Sequence, residues 1–305
     1  SNDLAYSMYQ EKNGPLWVGT SVGLNRLDET TDQFKTFHFG SIADDYINVV
    51  APGGAGVLWL GTGDSLIRYD TVADQFRKYT PDPKDANSRS AKGTTVILQD
   101  STGRLWAGAE WVGGGLDLLE QGSSNFKHFK HDPNKTDSIS ADNISSIHED
   151  AKGRIWVGAI NGLNQIVIAP DGSVSFKRFN DQHSIGNAKI VAIESDLSGK
   201  LWICTVDGLI LFDPDSGEIS RYTVSDGLSD NFAGPSHRSA EGVLYFGGTK
   251  GMTAVYPERV HRITVSPQIA ITDISVFNRS LKSGKAPNSV RLEGSVTAPR
   301  SLVIG

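Results

Sequence analysis

The sequence predicts an all-β chain folded as a β-propeller of four-stranded blades, and three observations carry that prediction. The first is a short stretch that recurs six times: an aliphatic residue, an aromatic and, two places on, a small residue. It reads LWVGT from Leu16, LWLGT from Leu58, LWAGA from Leu105, IWVGA from Ile155, LWICT from Leu201 and LYFGG from Leu244. The aromatics Trp17, Trp59, Trp106, Trp156, Trp202 and Tyr245 are spaced by 42, 47, 50, 46 and 43 residues. A period of this size marks a solenoid, a propeller or an array. The second observation is what keeps register with that stretch. A glycine stands three places before every aromatic (Gly14, Gly56, Gly103, Gly153, Gly199, Gly242). An acid stands six places before four of them (Glu11, Asp100, Asp150, Asp196), with Gly53 and Ser239 in the other two units. The third is that each unit offers four short runs of Val, Ile, Leu and aromatics bounded by Gly, Asp, Asn and Pro, with no helical period.

Each element of a unit has a reason. Asp beside Gly suits a tight turn, because the carboxylate accepts turn amides and glycine takes backbone angles that other residues resist. Leu16 beside Trp17 points to opposite faces of one strand, as do Phe34 and Phe37 in the fourth run, since strand side chains alternate. A sheet apolar on both faces must lie between neighbours, and four-stranded sheets of about 45 residues packed face to face in a ring make a propeller. The units run over about 4–39, 46–80, 94–130, 143–180, 187–223 and 231–257. The last is short, has Tyr in place of Trp and no clear fourth strand. Six repeats are visible, compatible with a six- or seven-bladed ring or with a piece of a larger one.

Composition bounds the function. The net charge is −6, but from Arg259 onward seven Lys/Arg face two Asp/Glu, so residues 1–258 carry −11. An acidic propeller argues against a nucleic-acid groove, and the change of sign suggests a boundary near 260. Residues 261–305 break the period. They read as a linker and the truncated beginning of a β-sandwich, with strand-like runs at Ile269–Phe277 and Val290–Val296. Cys204 is the only cysteine, so no internal disulfide forms; it stands where other units place a small residue and is expected as a buried thiol. No apolar run approaches a membrane span, and no signal peptide is expected in this stretch.

Antiparallel strands send alternate connections to the same face. The turns carrying Gly14 and its equivalents share one uniform face. The hairpin after each tryptophan stretch and the connections between units share the other. That second face holds the long loops Pro81–Gly93 and His131–Asp142 and the insertion Ala109–Leu116, and variable loops on a rigid scaffold commonly carry recognition. Five tryptophans are in register, each removing roughly 150–250 Å² from water, about 4–6 kcal/mol as an upper bound. Trp111, inside the insertion, is not, and it is a candidate platform for a ligand; Gly113, Gly114 and Gly115 would let a ligand approach the backbone. Asn143, Asn187 and Asn231 begin three innermost strands and are candidates for polar contacts at one mouth of the channel, or for plain turn capping. Eight places before the aromatic stand His148, Glu194 and His237 on adjacent innermost strands, the set that a metal-assisted reading would need. No GxSxG, HExxH or P-loop is present, so the leading reading is non-enzymatic, with no cofactor.

DAKGRIWVGAINGLNQI (150–166) and DSTGRLWAG (100–108), with the connections HDPNKTDSISADNISSIHED (131–150) and PDPKDANSRS (81–90), resemble the two-component regulator propeller repeat. YTVSDGLSDNFAG (222–234) and GVLYFGGTKGMTAVYPERV (242–260) are similar to its closing repeat, and the segment after Ser266 resembles the start of the triple-tyrosine β-sandwich. The resemblance implies a sensor region in the periplasmic part of an inner-membrane protein, ahead of a histidine kinase or diguanylate cyclase output. The partners it implies are a small extracytoplasmic ligand such as a saccharide, the protein's own sandwich and output domains, and a second copy in a homodimer, with no nucleic acid. The alternatives are a metal-assisted lyase or lactonase at the channel mouth and a protein-interaction scaffold.

Overall fold

A computed structural model describes the chain except residues 1–3, 12–13, 111–113, 180–184, 187, 229–231, 261–274, 277–278, 281–289, 296–297 and 305. The chain divides into two compact units, Ser1–Pro257 and Glu258–Gly305. The first is a propeller of six antiparallel sheets, each wound in chain order. Blade one holds β1 (Ala5–Gln10), β2 (Leu16–Thr20), β3 (Gly23–Asp28) and β4 (Gln33–Phe37); blade two, after a one-turn helix α1 (Ile42–Asp45), holds β5 (Ile47–Pro52), β6 (Val57–Thr62), β7 (Leu66–Asp70) and β8 (Gln75–Tyr79). Blade three is β9 (Val96–Gln99), β10 (Leu105–Gly108), β11 (Leu116–Leu119) and β12 (Phe126–Phe129). Blade four is β13 (Ile144–Glu149), β14 (Ile155–Ala159), β15 (Gly162–Ile168) and β16 (Val174–Phe179). Blade five is β17 (Ile190–Ser195), β18 (Leu201–Thr205), β19 (Gly208–Phe212) and β20 (Ile219–Tyr222). Blade six has three described strands, β21 (Phe232–Arg238), β22 (Leu244–Gly248) and β23 (Gly251–Val255). Among its described residues the second unit has two antiparallel strand pairs, β24 (Ser275–Val276) with β25 (Arg279–Ser280) and β26 (Val290–Ser295) with β27 (Ala298–Ile304). The expected run at Ile269–Phe277 falls mostly outside the described residues.

Four of the register tryptophans pack into the seam with the following blade. Trp17 packs with Ile47, Leu58, Leu60 and Tyr69 of blade two. Trp59 packs with Leu105, Ala107, Leu119 and Phe126 of blade three. Trp106 meets Ile144, Ile155 and Phe176 of blade four, and Trp156 meets Ile190, Ile203 and Phe212 of blade five. The innermost strands lie side by side in order, β1 beside β5, β5 beside β9, and so on to β21. In five of the six innermost strands the register slips near the start, as between Ile47 and Val49 or Ile144 and Ser146, a repeated bulge that adds local twist.

The small residue two places after the aromatic is demanded by that close packing. A Cβ at Gly158 would lie 2.5 Å from Ile190 Cγ2, and one at Gly108 2.9 Å from Ile144 Cβ, each isoleucine opening the next blade. Interiors packed at crystal density have no room for the extra methyl. Cys204 occupies the same position in blade five, fully buried, and its thiol is pushed up to about 12 by burial alone.

The acid six places before the aromatic does more than shape its turn. Asp150 Oδ1 accepts the backbone amides of Lys152 (2.9 Å) and Arg154 (3.0 Å), while Oδ2 accepts Arg154 Nε (2.6 Å) and the indole Nε1 of Trp156 (3.0 Å). Asp100 repeats the set with Thr102, Arg104 and Trp106, and Asp196 accepts the backbone amides of Ser198 and Lys200 and the indole of Trp202. Burial pushes the Asp100 and Asp150 carboxyls up, but these hydrogen bonds outweigh it and leave both below the usual carboxylate range. The carboxylate thus fixes the tryptophan that fills the seam, and Gly103 and Gly153 close the turn at φ +84° and +73°.

Candidate functional site

Of the residues expected to form a site, Trp111, Gly113, Asn187 and Asn231 lie outside the described residues. Gly114 and Asn143 are described, and both are committed to the protein. Gly114 is buried, and a Cβ there would stand 2.5 Å from the Cβ of Ala91, so what approaches its backbone is the loop between blades two and three. The Asn143 amide donates to the carbonyl of Glu110, and Gly115 N to Asp142 O (2.9 Å), which ties the insertion to the start of blade four. Glu110 is held further by Thr95 and by Lys189 of blade five (2.7 Å).

His148, Glu194 and His237 do stand at equivalent places, opposite Trp156, Trp202 and Tyr245. Their side chains are not gathered around one point. His148 Nε2 is 2.9 Å from Ser195 Oγ, Glu194 Oε1 accepts from Ser236 Oγ at 2.9 Å, and His237 is exposed. Among the described residues no group of three His, Cys, Asp or Glu is placed to hold a metal ion. Burial and the nearby Arg238 pull His148 down to about 4, so it is neutral at pH 7, and burial raises Glu194 against the pull of Ser236. In place of the convergence that the metal-assisted alternative requires, His148 and Glu194 each contact the next blade's inner strand.

The long loops are fasteners too. In the loop 81–93, Ser88 Oγ accepts from Asp82 N and Asn87 O accepts from Phe126 N at the head of β12. In 131–142, Ser138 and Asp137 do the same for Asp132 N and Phe176 N. Beneath the first loop Arg89, 4% exposed, bonds Asp117 Oδ2 (3.1 Å) and Thr94 Oγ1 (2.5 Å), with His128 Nδ1 on Asp117 Oδ1 (2.7 Å). Beneath the second the same places hold Ile139 and Asn164, and Arg178 caps the loop carbonyls of Lys135, Ser138 and Ile139.

The open feature of the propeller is on the opposite face, the one the sequence presents as uniform. The turns of three blades are bridged to the following blade. Glu149 of β13 accepts Ser101 N (2.8 Å) and Oγ (2.5 Å); Lys152 and Arg154 reach Asp215 (2.6 and 2.8 Å); and Arg238 Nη1 donates to Ser195 O (3.1 Å). Between blades two and three the counterparts of Ser101 and Glu149 are Gly54 and Gln99, and among the described residues no bond joins the 53–56 turn to blade three. A cleft of ≈ 450 Å³ opens there, lined by Gly53, Trp59, Arg68, Arg77, Tyr79, Gln99 and the 119–123 turn. A shallower depression of ≈ 490 Å³ adjoins it through Gln99, Gly103 and Gln121. The signal for this site was in the repeat: blade two reads Gly53 where four of the other five carry the acid and Val57 where Arg104 and Arg154 stand.

Comparisons with known proteins fit the repeat. Residues 138–161 match the family model described as "Two component regulator propeller". A stretch of 115 residues is 26% identical to Histidine kinase P4 of Formosa agariphila, covering 36% of this chain and 8% of that protein. The chain therefore spans a small part of the length of its curated relative. Among solved structures, the extracellular domain of the hybrid two-component system BT3049 of B. thetaiotaomicron superposes with TM-score 0.67 at 22% identity, over 85% of this chain and 34% of that one. Virginiamycin B lyase of Staphylococcus aureus superposes with TM-score 0.62 at 15% identity, over 86% and 85%. Identities this low establish the shared propeller fold and nothing of the chemistry.

Proposed function

Since the chain carries a two-component regulator propeller repeat, we propose that it is the non-enzymatic, ligand-sensing part of a membrane-bound histidine kinase, lying on the periplasmic side of the inner membrane. The observation that supports this most is the pairing of the repeat match at 138–161 with the likeness to a histidine kinase. In the described residues no helix is long and apolar enough to cross a membrane. Residues 258–305 would pass the signal on as the first strands of a β-sandwich. In this reading blades stapled by seams act as stiff wedges, and a ligand works by changing how two wedges meet.

The lyase reading draws only on fold. It would need His148, Glu194 and His237 to act together, and two of the three are hydrogen-bonded to serines of neighbouring blades. Elemental analysis of the purified protein separates the readings: stoichiometric divalent metal held through dialysis would favour the lyase. The sensing reading is tested by autophosphorylation of the full-length kinase during a screen of saccharides, amino acids and short peptides. A compound that both binds this propeller and changes the phosphorylation rate is expected. Compounds that bind with no effect on the rate would refute the sensing role.

A further inference from the structure

The cleft between blades two and three brings an indole without an acceptor and a facing pair of arginines to one open volume. Trp59, 6% exposed, is the register tryptophan of blade two, yet Gly53 stands where an aspartate accepts the indole N–H in blades three, four and five. No hydrogen-bond acceptor for Trp59 Nε1 is present among the described residues, so the indole that lines the cleft keeps a free donor. An acid at that position would require Val57 to shift. A Cβ on residue 53 would lie 2.7 Å from Val57 Cγ1 and 3.1 Å from Trp59 Nε1 itself. Beside the indole, Trp59, Arg68 and Arg77 form one cross-strand row on β6, β7 and β8. Like charges directly opposite one another destabilise a sheet, and neither guanidinium has a carboxylate partner among the described residues. Arg77 lies 4.9 Å from the centroid of Tyr79, whose ring also lines the cleft. The one acid on the wall, Glu120, is bonded to Lys127 (2.7 Å).

We propose that this cleft binds the carboxylate of a small organic acid, sugar acids included, in the place that Asp100, Asp150 and Asp196 hold in their own blades. The carboxylate accepts from Trp59 Nε1 and from the Arg68–Arg77 pair, a planar, bidentate recognition for which guanidinium is suited. The rest of the ligand lies against Tyr79 and along Gln99 and Gln121, in a volume within the usual range for small-molecule sites. Binding here stands apart from the sensing role: it is read directly on the propeller, whereas sensing is read on the kinase, so either can fail alone.

The test is calorimetry and thermal shift on the whole chain with glucuronate, galacturonate and succinate at constant ionic strength, against glucose and sulfate. At least one of the three acids is expected to bind and raise the melting temperature, with glucose and sulfate giving neither effect. Arg68→Gln and Arg77→Gln, both at exposed positions, are each expected to weaken that acid at least tenfold. Lys35→Gln, in the equivalent row of blade one, is expected to leave its affinity within twofold. Binding by none of the acids, equal binding of glucose or sulfate, or undiminished binding in both arginine variants would overturn the proposal. Melting of the ligand-free variants shows that they are folded; equal or higher stability is expected, because each removes one of two facing like charges.

Discussion

Replacing Asp150 by alanine should unfasten the seam between blades four and five, and the cost can be worked from its contacts. The side chain is 1% exposed and satisfies four donors: two turn amides, Arg154 Nε and the indole N–H of Trp156. Trp156 is 1% exposed, so its N–H is left buried without a partner, at about 1–3 kcal/mol. Arg154 keeps Asp215 at 2.8 Å, so its charge is not stranded. The turn amides lose charge-assisted bonds, but water reaches that face and recovers part of the loss. The sum, about 3–5 kcal/mol, matches the usual penalty for removing one partner of a buried charged network. Asp150→Asn should cost about 2–3 kcal/mol, because the amide can still accept the turn amides but turns an NH₂ toward two donors. Urea unfolding followed by tryptophan fluorescence and far-UV circular dichroism measures both. Asp171, an exposed turn aspartate that bonds only Ser173, is the control. An Asp150→Ala protein indistinguishable from Asp171→Ala would refute the account of the seam.

Arg89→Ala should cost about 3–5 kcal/mol by stranding Asp117 in the interior, whereas Arg89→Ile with Asp117→Asn, which copies Ile139 and Asn164 of blade four, should recover most of it in the same denaturation assay. Gly158→Ala should destabilise by about 1–3 kcal/mol through overpacking against Ile190, and a neutral result would show that the seam has slack. His148 titrates at about 4 in the fold against an ordinary 6.5, so its contribution is fully present above pH 6.5 and is lost as pH falls from 6.5 toward 4. At about 1.4 kcal/mol per unit the ceiling on that loss is about 3 kcal/mol. Unfolding free energies of wild type and His148→Gln between pH 7 and 4 should converge as the pH falls.

The propeller was legible because its constraints repeat. A tryptophan at the same place in five units, a glycine two places on in five and a glycine three places before every aromatic recur with one period, so weak signals add. In blades three, four and five an aspartate also holds the indole. The candidate site was less legible, for two physical reasons. Loop length and irregularity point to a surface, yet the long loops 81–93 and 131–142 are consumed by hydrogen bonds to the next blade's outer strand. Asn143 and Gly114 likewise face protein, which a sequence cannot show because it carries no partners. The His148, Glu194 and His237 alignment holds in register, but the His148 and Glu194 side chains turn to serines of the neighbouring blade and not to one another. The cleft announces itself as an absence, Gly53 and Val57 in place of an acid and a base, and an absence reads as drift until the unpaired indole and arginines are seen around it.

Hydrogen exchange at the indole nitrogens tests the central claim most directly. The Nε1–H groups of Trp106, Trp156 and Trp202 are bonded to buried carboxylates at 3.0 Å and that of Trp59 is not. In ¹H–¹⁵N spectra assigned by single Trp→Phe variants, the three should exchange slowly, protected to the level of global unfolding, and Trp59 at least tenfold faster. Equal rates for all four would mean that the carboxylate does not hold the tryptophan, and that the second seam is no different from the rest.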